Sequence, residues 1–180
     1  MRSRSIGLVA AAALAAACLG AALAPSASSA PSRRLTAMSS LETGVLSAVN
    51  AIRTQHGLVA LKLDSKLTAA ADEHSREMAD RGYFAHESSD RSPFWKRVQH
   101  FYTSSNYRYW SVGENLVWSS PDLDAAGAVT MWMASPEHRA NLLTARWRQV
   151  GLSAVHVAAA PGTFNGLDVT IVTADFGVRH

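Results

Sequence analysis

Two histidines and a glutamate are the residues of this sequence best suited to chemistry. His86 follows a predicted helix, Glu114 lies in a Gly-Glu-Asn sequence, and His138 lies in a Ser-Pro-Glu-His sequence. Neutral imidazoles can ligate a metal or act as general bases. His138 falls in the first turn of a predicted helix, where the helix dipole disfavours its positive form.

Each of these residues also has an ordinary structural explanation. A lone histidine after an aromatic pair is typical of a turn, and a lone glutamate after glycine is typical of a solvated loop. Ser135 precedes Pro136, and this pair is typical of a helix N-cap with proline at the first helical position. Ser135 is therefore only a weak catalytic candidate, and a purely structural role for the whole set stays open.

Several familiar catalytic sites are missing from the sequence. It contains no nucleotide-binding glycine loop, no Gly-x-Ser-x-Gly and no His-Glu-x-x-His. Its one cysteine, Cys18, lies in the N-terminal leader. Without the leader, neither a cysteine nucleophile nor a disulfide is possible.

The first thirty residues read as a secretory signal peptide. Arg2 and Arg4 precede an uncharged, apolar and Ala-rich stretch at 6–24, and small residues and prolines follow at 25–31. A retained anchor is the alternative, but no basic stop-transfer cluster follows. Lipidation of Cys18 is not expected, since Ala15 stands where a large aliphatic residue would be needed. We therefore predict a signal at 1–30, a short linker at 31–37 and one secreted domain at 38–180.

Composition limits the partners of that domain. Loss of Arg2 and Arg4 lowers the formal net charge from +3 to +1, and no Lys/Arg stripe is present. We therefore expect no binding to nucleic acid. We also expect no membrane span after signal removal, and a monomer. About 150 residues are enough to bury a core without disulfides.

Helical patterns occupy the first part of the domain and strand patterns the last. A capping box at Ser39 and Glu42 predicts the start of the first helix. An N-cap at Asp64 or Ser65 and a stop at Gly82 predict the second helix. Ser-Pro pairs near 92 and 135 and an aspartate near 124 predict the starts of three more helices. Segments 149–158 and 167–176 are rich in Val, Ile and Thr and flank turn residues, which predicts a β-hairpin. Segment 101–110 reads as a loop, and 112–119 is too short to assign. The order predicts an α+β domain with helices covering an antiparallel sheet.

Seven short motifs, taken in order, resemble the CAP superfamily of cysteine-rich secretory, antigen 5 and pathogenesis-related 1 proteins. The resemblance is closest to its disulfide-free bacterial branch and spans about 41–177. The motifs are Asn50-x-x-Arg53-x-x-x-Gly57 with Leu61; Leu67, Ala71, His74, Ser75 and Met78; Phe84-x-His86; Gly113-Glu114-Asn115-Leu116; Trp132-x-x-Ser135-Pro136-x-His138-Arg139-x-Asn141-Leu142-Leu143; Val150-Gly151; and Thr173-x-Asp175-Phe176-Gly177.

The resemblance implies an α-β-α sandwich with a central antiparallel sheet and a cleft lined by two histidines and two acidic residues. Carried over by position, His86 is the first histidine, Glu114 the first acidic residue and His138 the second histidine. The second acidic residue falls near Ser135 or Glu137. Here the sequence departs from the eukaryotic pattern, which usually has Trp-x-x-Glu.

The leading hypothesis is a secreted binding module for a lipidic, sterol, cell-envelope or protein ligand, with an optional divalent metal at His86 and His138. Two neutral imidazoles with a water could hold Zn²⁺ or another divalent cation, with Glu114 orienting the water or one ring, and the ion would bind weakly because the site is open. The alternative is a metal-assisted hydrolase, with peptides among its candidate substrates, in which Glu114 is the general base and the metal the electrophile. Aromatic side chains lie at 94–118, between His86 and Glu114 and just beyond. They are either packing residues or an apolar wall for a lipid or glycan beside the cleft.

Overall fold

The computed structural model describes residues 40–180, so the leader, the linker and the capping serine at position 39 lie outside the described residues. The described helices are α1 (Ser40–Gln55), α2 (Ser65–Arg81), α3 (Phe94–Phe101), α4 (Ala125–Ala134) and α5 (Pro136–Leu142), with a short 3₁₀ turn at Gly162–Phe164. The strands are β1 (Lys62–Leu63), β2 (Trp110–Ser119), β3 (Gln149–Ala160) and β4 (Leu167–Arg179).

The sheet has the strand order β1-β3-β4-β2. β3 and β4 form the predicted hairpin, β2 pairs antiparallel with β4, and the two-residue β1 pairs parallel with β3. The sheet is thus antiparallel apart from one short strand. β4 lies inside the sheet, and its residues from Val169 to Val178 are all buried.

Helices cover both faces of the sheet, which confirms the predicted α+β sandwich. One apolar cluster joins α1, α4 and α5 to one face and includes Trp132, Trp147 and Phe176. On the other face, α2 and α3 pack in two smaller clusters around Met78 and Tyr102. Alternate residues of β4 serve the two layers because strand side chains point to opposite faces.

Local sequence explains why α2 begins and ends where it does. Asp64 is the N-cap, and its Oδ1 accepts from the backbone N–H groups of Lys66 and Leu67 at 2.8 and 3.1 Å. Gly82 ends the helix in the left-handed conformation, with φ 68°. Between these ends α2 lies directly on β3, where a Cβ added to Gly151 would collide with the backbone at Leu67.

Two elements differ from the sequence expectations. The unassigned segment 112–119 belongs to a ten-residue strand, β2, with Trp110 at its first position. Its middle is filled by Gly, Glu and Asn, and these residues are poor strand formers, so the sequence gives no clear strand signal there. α3 begins at Phe94 with Pro93 as its N-cap, slightly later than the Ser-Pro start near 92 indicates.

Buried Arg53 connects α1 to the end of α5 through backbone carbonyls. Its Nε donates to the Val59 carbonyl at 3.1 Å, and its Nη1 donates to the Leu142 and Thr144 carbonyls at 2.7 and 3.1 Å. Burial lowers the pKa of its guanidinium. The side chain thereby satisfies carbonyls that the end of α5 leaves without helical partners.

β2 lies at one edge of the sheet, and side chains from α4 and α5 bind its backbone. The Trp132 indole donates to the Leu116 carbonyl at 3.0 Å, and the Asn141 amide donates to the Glu114 carbonyl at 3.1 Å.

Among residues 40–180, no helix is both long and apolar enough to cross a bilayer.

Candidate functional site

The centre of the site is a contact between His86 and Glu114. The Nδ1 of His86 lies 2.7 Å from Oε1 of Glu114, although the residues are 28 positions apart. Arg97 on α3 donates through Nη2 to the other carboxylate oxygen. The Glu114 side chain is 0% exposed and that of His86 47% exposed. The imidazole therefore reaches solvent, while the carboxylate that contacts it and the guanidinium bound to that carboxylate are buried.

The loop that carries His86 is held on both sides. The ring nitrogen Nε2 of buried His74 lies 2.9 Å from the Ala85 carbonyl. Glu77, one helical turn later, accepts from the Tyr83 hydroxyl at 2.7 Å and from the Ser89 hydroxyl. Bonds from α2 thus reach the loop before and after His86 and limit its freedom.

Asp175 is a second acidic residue next to Glu114. It lies on β4 directly across from Glu114 in the antiparallel register, and it is wholly buried. It belongs to a motif of the CAP resemblance but is not among the candidate site residues, since the resemblance places the second acid near Ser135 or Glu137. A carboxylate near the middle of a buried strand rich in Val, Ile and Thr is the sequence signal that could have found it.

His138 comes from the opposite helical layer. Its backbone carbonyl accepts from the Asn115 side chain at 3.0 Å, and Asn141 donates to the Asn115 side-chain oxygen at 2.9 Å. The same Asn141 amide binds the Glu114 carbonyl. Two asparagines therefore connect the helix carrying His138 to the strand carrying Glu114.

Ser135 has a local role. It is the N-cap position of α5, as predicted, but its hydroxyl makes no capping bond and donates to Oε2 of Glu137 at 3.2 Å. It forms no hydrogen bond with His86, Glu114 or His138 in the described part of the chain.

Most aromatic residues of 94–118 are packing residues. Phe94, Phe101, Tyr102 and Trp110 belong to the cluster under α3, and Trp118 contacts Phe84 and Phe164. Three side chains are about 40% exposed; these are Trp95, Tyr107 and Tyr109. Phe94 also lies beside His86, with ring centroids 6.3 Å apart.

Both site histidines are held toward the neutral form. Burial lowers the pKa of His86, and positive Arg97 adds to this while Glu87 opposes it. Burial also lowers the pKa of His138, and a proton on neighbouring His86 would lower it further. Because Arg97 already balances the charge of Glu114, that carboxylate does not force His86 to be protonated.

The buried acids are shifted in the opposite direction. Burial raises the pKa of Glu114, and Arg97 counteracts part of this increase. Burial raises the pKa of Asp175 well above its usual range, and the negative charge of Glu114 raises it further. Two carboxyl groups that share a buried site do not readily ionise at the same time, because their negative charges repel each other.

If a divalent cation binds here, its candidate ligands are the imidazoles of His86 and His138. Nδ1 of His86 contacts Glu114, which leaves Nε2 as the ring nitrogen that a ligand could use. Residues 40–180 hold no group of three or more His, Cys, Asp or Glu side chains arranged around a common metal position. Water or a ligand would have to supply the remaining coordination.

Comparison with known proteins assigns the family. Residues 46–175 match the family model described as CAP, cysteine-rich secretory protein family. The chain belongs to the CAP family. This CAP domain is 30% identical over 120 residues to YkwD, an uncharacterized protein of Bacillus subtilis, with 67% of the chain and 44% of the relative covered.

Solved structures agree with the fold. An extracellular protein containing an SCP domain from Bacillus anthracis has a TM-score of 0.58 and 25% identity, covering 75% of this chain and 39% of that one. An outer surface protein of Borrelia burgdorferi has a TM-score of 0.58 and 19% identity, covering 76% of this chain and 90% of that one. The chain spans less than half the length of the curated relatives it matches. The predicted membership in the bacterial-type CAP proteins is confirmed.

Proposed function

We propose that this CAP domain is an extracellular binding module centred on the imidazole of His86. In this proposal, His86 and His138 together hold a divalent cation such as Zn²⁺, and a lipidic, cell-envelope or protein ligand completes the site. The observation that carries the proposal is the 2.7 Å contact between exposed His86 and buried Glu114.

The contact with Glu114 favours one tautomer of His86. With the proton on Nδ1 facing the carboxylate, the lone pair of Nε2 points away from the buried acid. Metal-binding histidines in proteins are commonly oriented by such a carboxylate, which also makes the imidazole a better ligand. In the binding proposal, Glu114 therefore affects metal binding by orienting the His86 ring and not as a ligand.

Two imidazoles make an incomplete coordination set, and this supports a binding role that depends on a partner. A bound cation would supply positive charge for a carboxylate, phosphate or carbonyl of the ligand. The aromatic ring of Phe94 beside His86, and exposed Trp95 next to it in sequence, offer apolar contact. This combination supports a ligand with a polar head and an apolar part.

Export is also a proposal. It rests on the leader pattern at 1–30 and on similarity to proteins described as extracellular or outer surface.

Calorimetric titration with Zn²⁺ tests the metal proposal. Protein prepared without a His-tag should bind the ion weakly, and binding should be lost in the His86→Ala, His138→Ala double variant. His56→Ala with His100→Ala removes two exposed imidazoles elsewhere and should leave binding unchanged. Equal affinity in the site variant and the wild type would refute the metal site.

Thermal shifts test the ligand classes. Fatty acids, sterols and cell-envelope extracts should each be added with and without Zn²⁺, because a ligand that binds the native state raises the melting temperature by mass action. A shift that needs both the ion and His86 supports the proposal. No shift from any of them would instead favour a protein partner or a purely structural cluster.

Hydrolysis is the second candidate function, and the His86–Glu114 pair is what favours it. A carboxylate that orients an exposed imidazole is an arrangement used for general bases. Both oxygens of Glu114 are buried, and one contacts His86 while the other accepts from Arg97. His86 would therefore contact the substrate, and Glu114 would orient the His86 ring. A peptide and ester screen should show activity that Glu114→Gln abolishes, whereas surviving activity would point to a different site or a contaminant.

A further inference from the structure

Asp175 is a buried acidic residue that has no role in the proposed binding site. Its side chain is fully buried in the middle of the domain, on the strand next to β2. Neither of its carboxyl oxygens accepts a hydrogen bond from any donor of residues 40–180. An ionised carboxylate in that state would be strongly destabilising, because it would lose water without gaining a partner.

The neighbours of Asp175 show which group it meets. On β3 the residue across from it is Gly151, which has no side chain. On β2 the residue directly across from it is Glu114, so that the two carboxyl groups lie close enough to interact. Arg97, the cation from α3, directs its Nη2 to Glu114, and its buried Nε has no partner among the described residues.

Two carboxylates cannot hydrogen-bond, since both are only acceptors when ionised. Their interaction becomes a hydrogen bond when one of them carries a proton. Glu114 is the one stabilised as an anion, because Arg97 binds it directly. Asp175 has no bonded cation within residues 40–180 and is the natural place for the proton.

We infer that Asp175 is a neutral carboxylic acid that donates its proton to Glu114 and thereby positions the carboxylate beneath His86. The hydrogen-bond series then runs from Asp175 through Glu114 to Nδ1 of His86. Asp175 is a positioning residue, since it acts on the imidazole only through Glu114. The functional meaning of the inference rests on the proposed function, but the protonation state does not.

The charged surroundings agree with this assignment. The titratable groups near Asp175 are Glu114 from β2, Arg97 from α3 and His86 from the loop after α2. Burial raises the pKa of Asp175, and the negative Glu114 raises it again, while Arg97 and His86 oppose these effects. Geometry and charge therefore both favour the protonated form.

Infrared spectroscopy of protein labelled with ¹³C in the aspartate carboxyl groups tests the protonation. Wild type at neutral pH should show the C=O stretching band of one protonated aspartic acid. The band should be lost in Asp175→Asn and kept in Asp80→Asn, which alters an exposed aspartate of α2. Absence of the band from the folded wild type would overturn the inference, whether or not the protein binds Zn²⁺.

The positioning role is tested by ¹⁵N NMR of the His86 ring without any metal. Asp175→Asn keeps a donor of the same shape, so the proton should stay on Nδ1 and the His86 titration midpoint should not move. Asp175→Leu has no donor, and the preference for the Nδ1 tautomer should be lost. If the asparagine variant shifts the midpoint, or if the leucine variant keeps the wild-type tautomer, the positioning role is wrong.

Discussion

His74 shows how burial of one side chain should shape the pH dependence of stability. It is completely buried on α2 and binds the Ala85 carbonyl through Nε2, while its Nδ1 has no partner among the described residues. Burial lowers its pKa to about 3, Arg97 and His86 add to this, and Glu77 opposes it. The imidazole is therefore neutral in the folded protein at all but strongly acid pH.

The sign of the effect follows from that shift. Between pH 6.5 and about 3 the unfolded chain binds a proton at His74 and the folded chain does not. Stability should therefore fall as the pH is lowered through this window, by up to about 1.4 kcal/mol per pH unit from this group. The buried acids contribute in the opposite direction, because their pKa values are raised in the folded state.

Comparing variants separates the two contributions. His74→Gln can still donate to Ala85 but cannot titrate, so its stability relative to wild type should improve as the pH falls from 7 to 4. Urea unfolding at several pH values measures this, with exposed His56→Gln as the control. A difference between wild type and His74→Gln that is independent of pH would contradict the prediction.

The sequence could indicate His86 and Glu114 but not the buried groups that lie around Glu114. His86 and Glu114 stand in short motifs beside glycine and aromatic residues, and the resemblance selected them. Arg97 and Asp175 come from a helix and a strand that nothing in the local sequence ties to Glu114. Only the strand pairing and the packing of α3 bring them together, and these depend on long-range contacts.

At the scale of secondary-structure elements, two asparagines connect α5 to β2. Asn115 is fully buried, and its amide donates to the His138 carbonyl. Asn115→Ala removes this bond and leaves Asn141 without one acceptor. We expect a loss of about 1–3 kcal/mol in the free energy of unfolding, because buried polar groups lose their partners.

If the metal proposal holds, the same substitution should weaken Zn²⁺ binding, since His138 would no longer be held against the strand carrying Glu114. Arg139→Ala changes an exposed residue of the same helix and should alter neither quantity. Urea unfolding and calorimetry measure the two effects separately. Unchanged stability of Asn115→Ala would show that packing alone positions α5.

Elements with local signals were predicted well. Asp64, Gly82 and Asp124 mark helix ends through side-chain caps or a left-handed residue, and all three are used in the structure. β2 was not assigned because its identity comes from pairing with β4. The parallel strand β1 was missed for a similar reason, since two residues carry no periodicity.

At the scale of the whole molecule, Arg53 is a buried connection between the first described helix and the end of α5. Arg53→Met keeps the apolar stem but leaves the Val59, Leu142 and Thr144 carbonyls without this donor. We expect a loss of about 2–5 kcal/mol, measured by urea unfolding. Arg53→Lys keeps the charge but cannot reach three carbonyls at once, and it should be intermediate.

Arg76→Ala is the matched control for losing a guanidinium. Its bond to Asp72 lies on the surface of α2, with the arginine side chain 63% exposed. Such pairs contribute little, so the loss should be below about 1 kcal/mol. Similar losses for Arg53→Met and Arg76→Ala would show that the buried arginine is not a major support.

With a single cysteine in 180 residues, the chain cannot form an internal disulfide. Stability must therefore come from the two helical layers, from buried contacts such as Arg53 and from the sheet they enclose. Reducing agents should consequently have no effect on its unfolding midpoint.

The two side chains that bind carbonyls of β2 should also reduce aggregation of the protein. An uncovered edge strand is a template for pairing with another chain, and it promotes aggregation. Trp132 and Asn141 occupy the Leu116 and Glu114 carbonyls that an incoming strand would use. Trp132→Phe should therefore increase light scattering at high concentration beyond what equal destabilisation by Val129→Ala produces. Trp132 and Asn141 would then also prevent neighbouring copies of the domain from pairing through their β2 edges at high protein concentration.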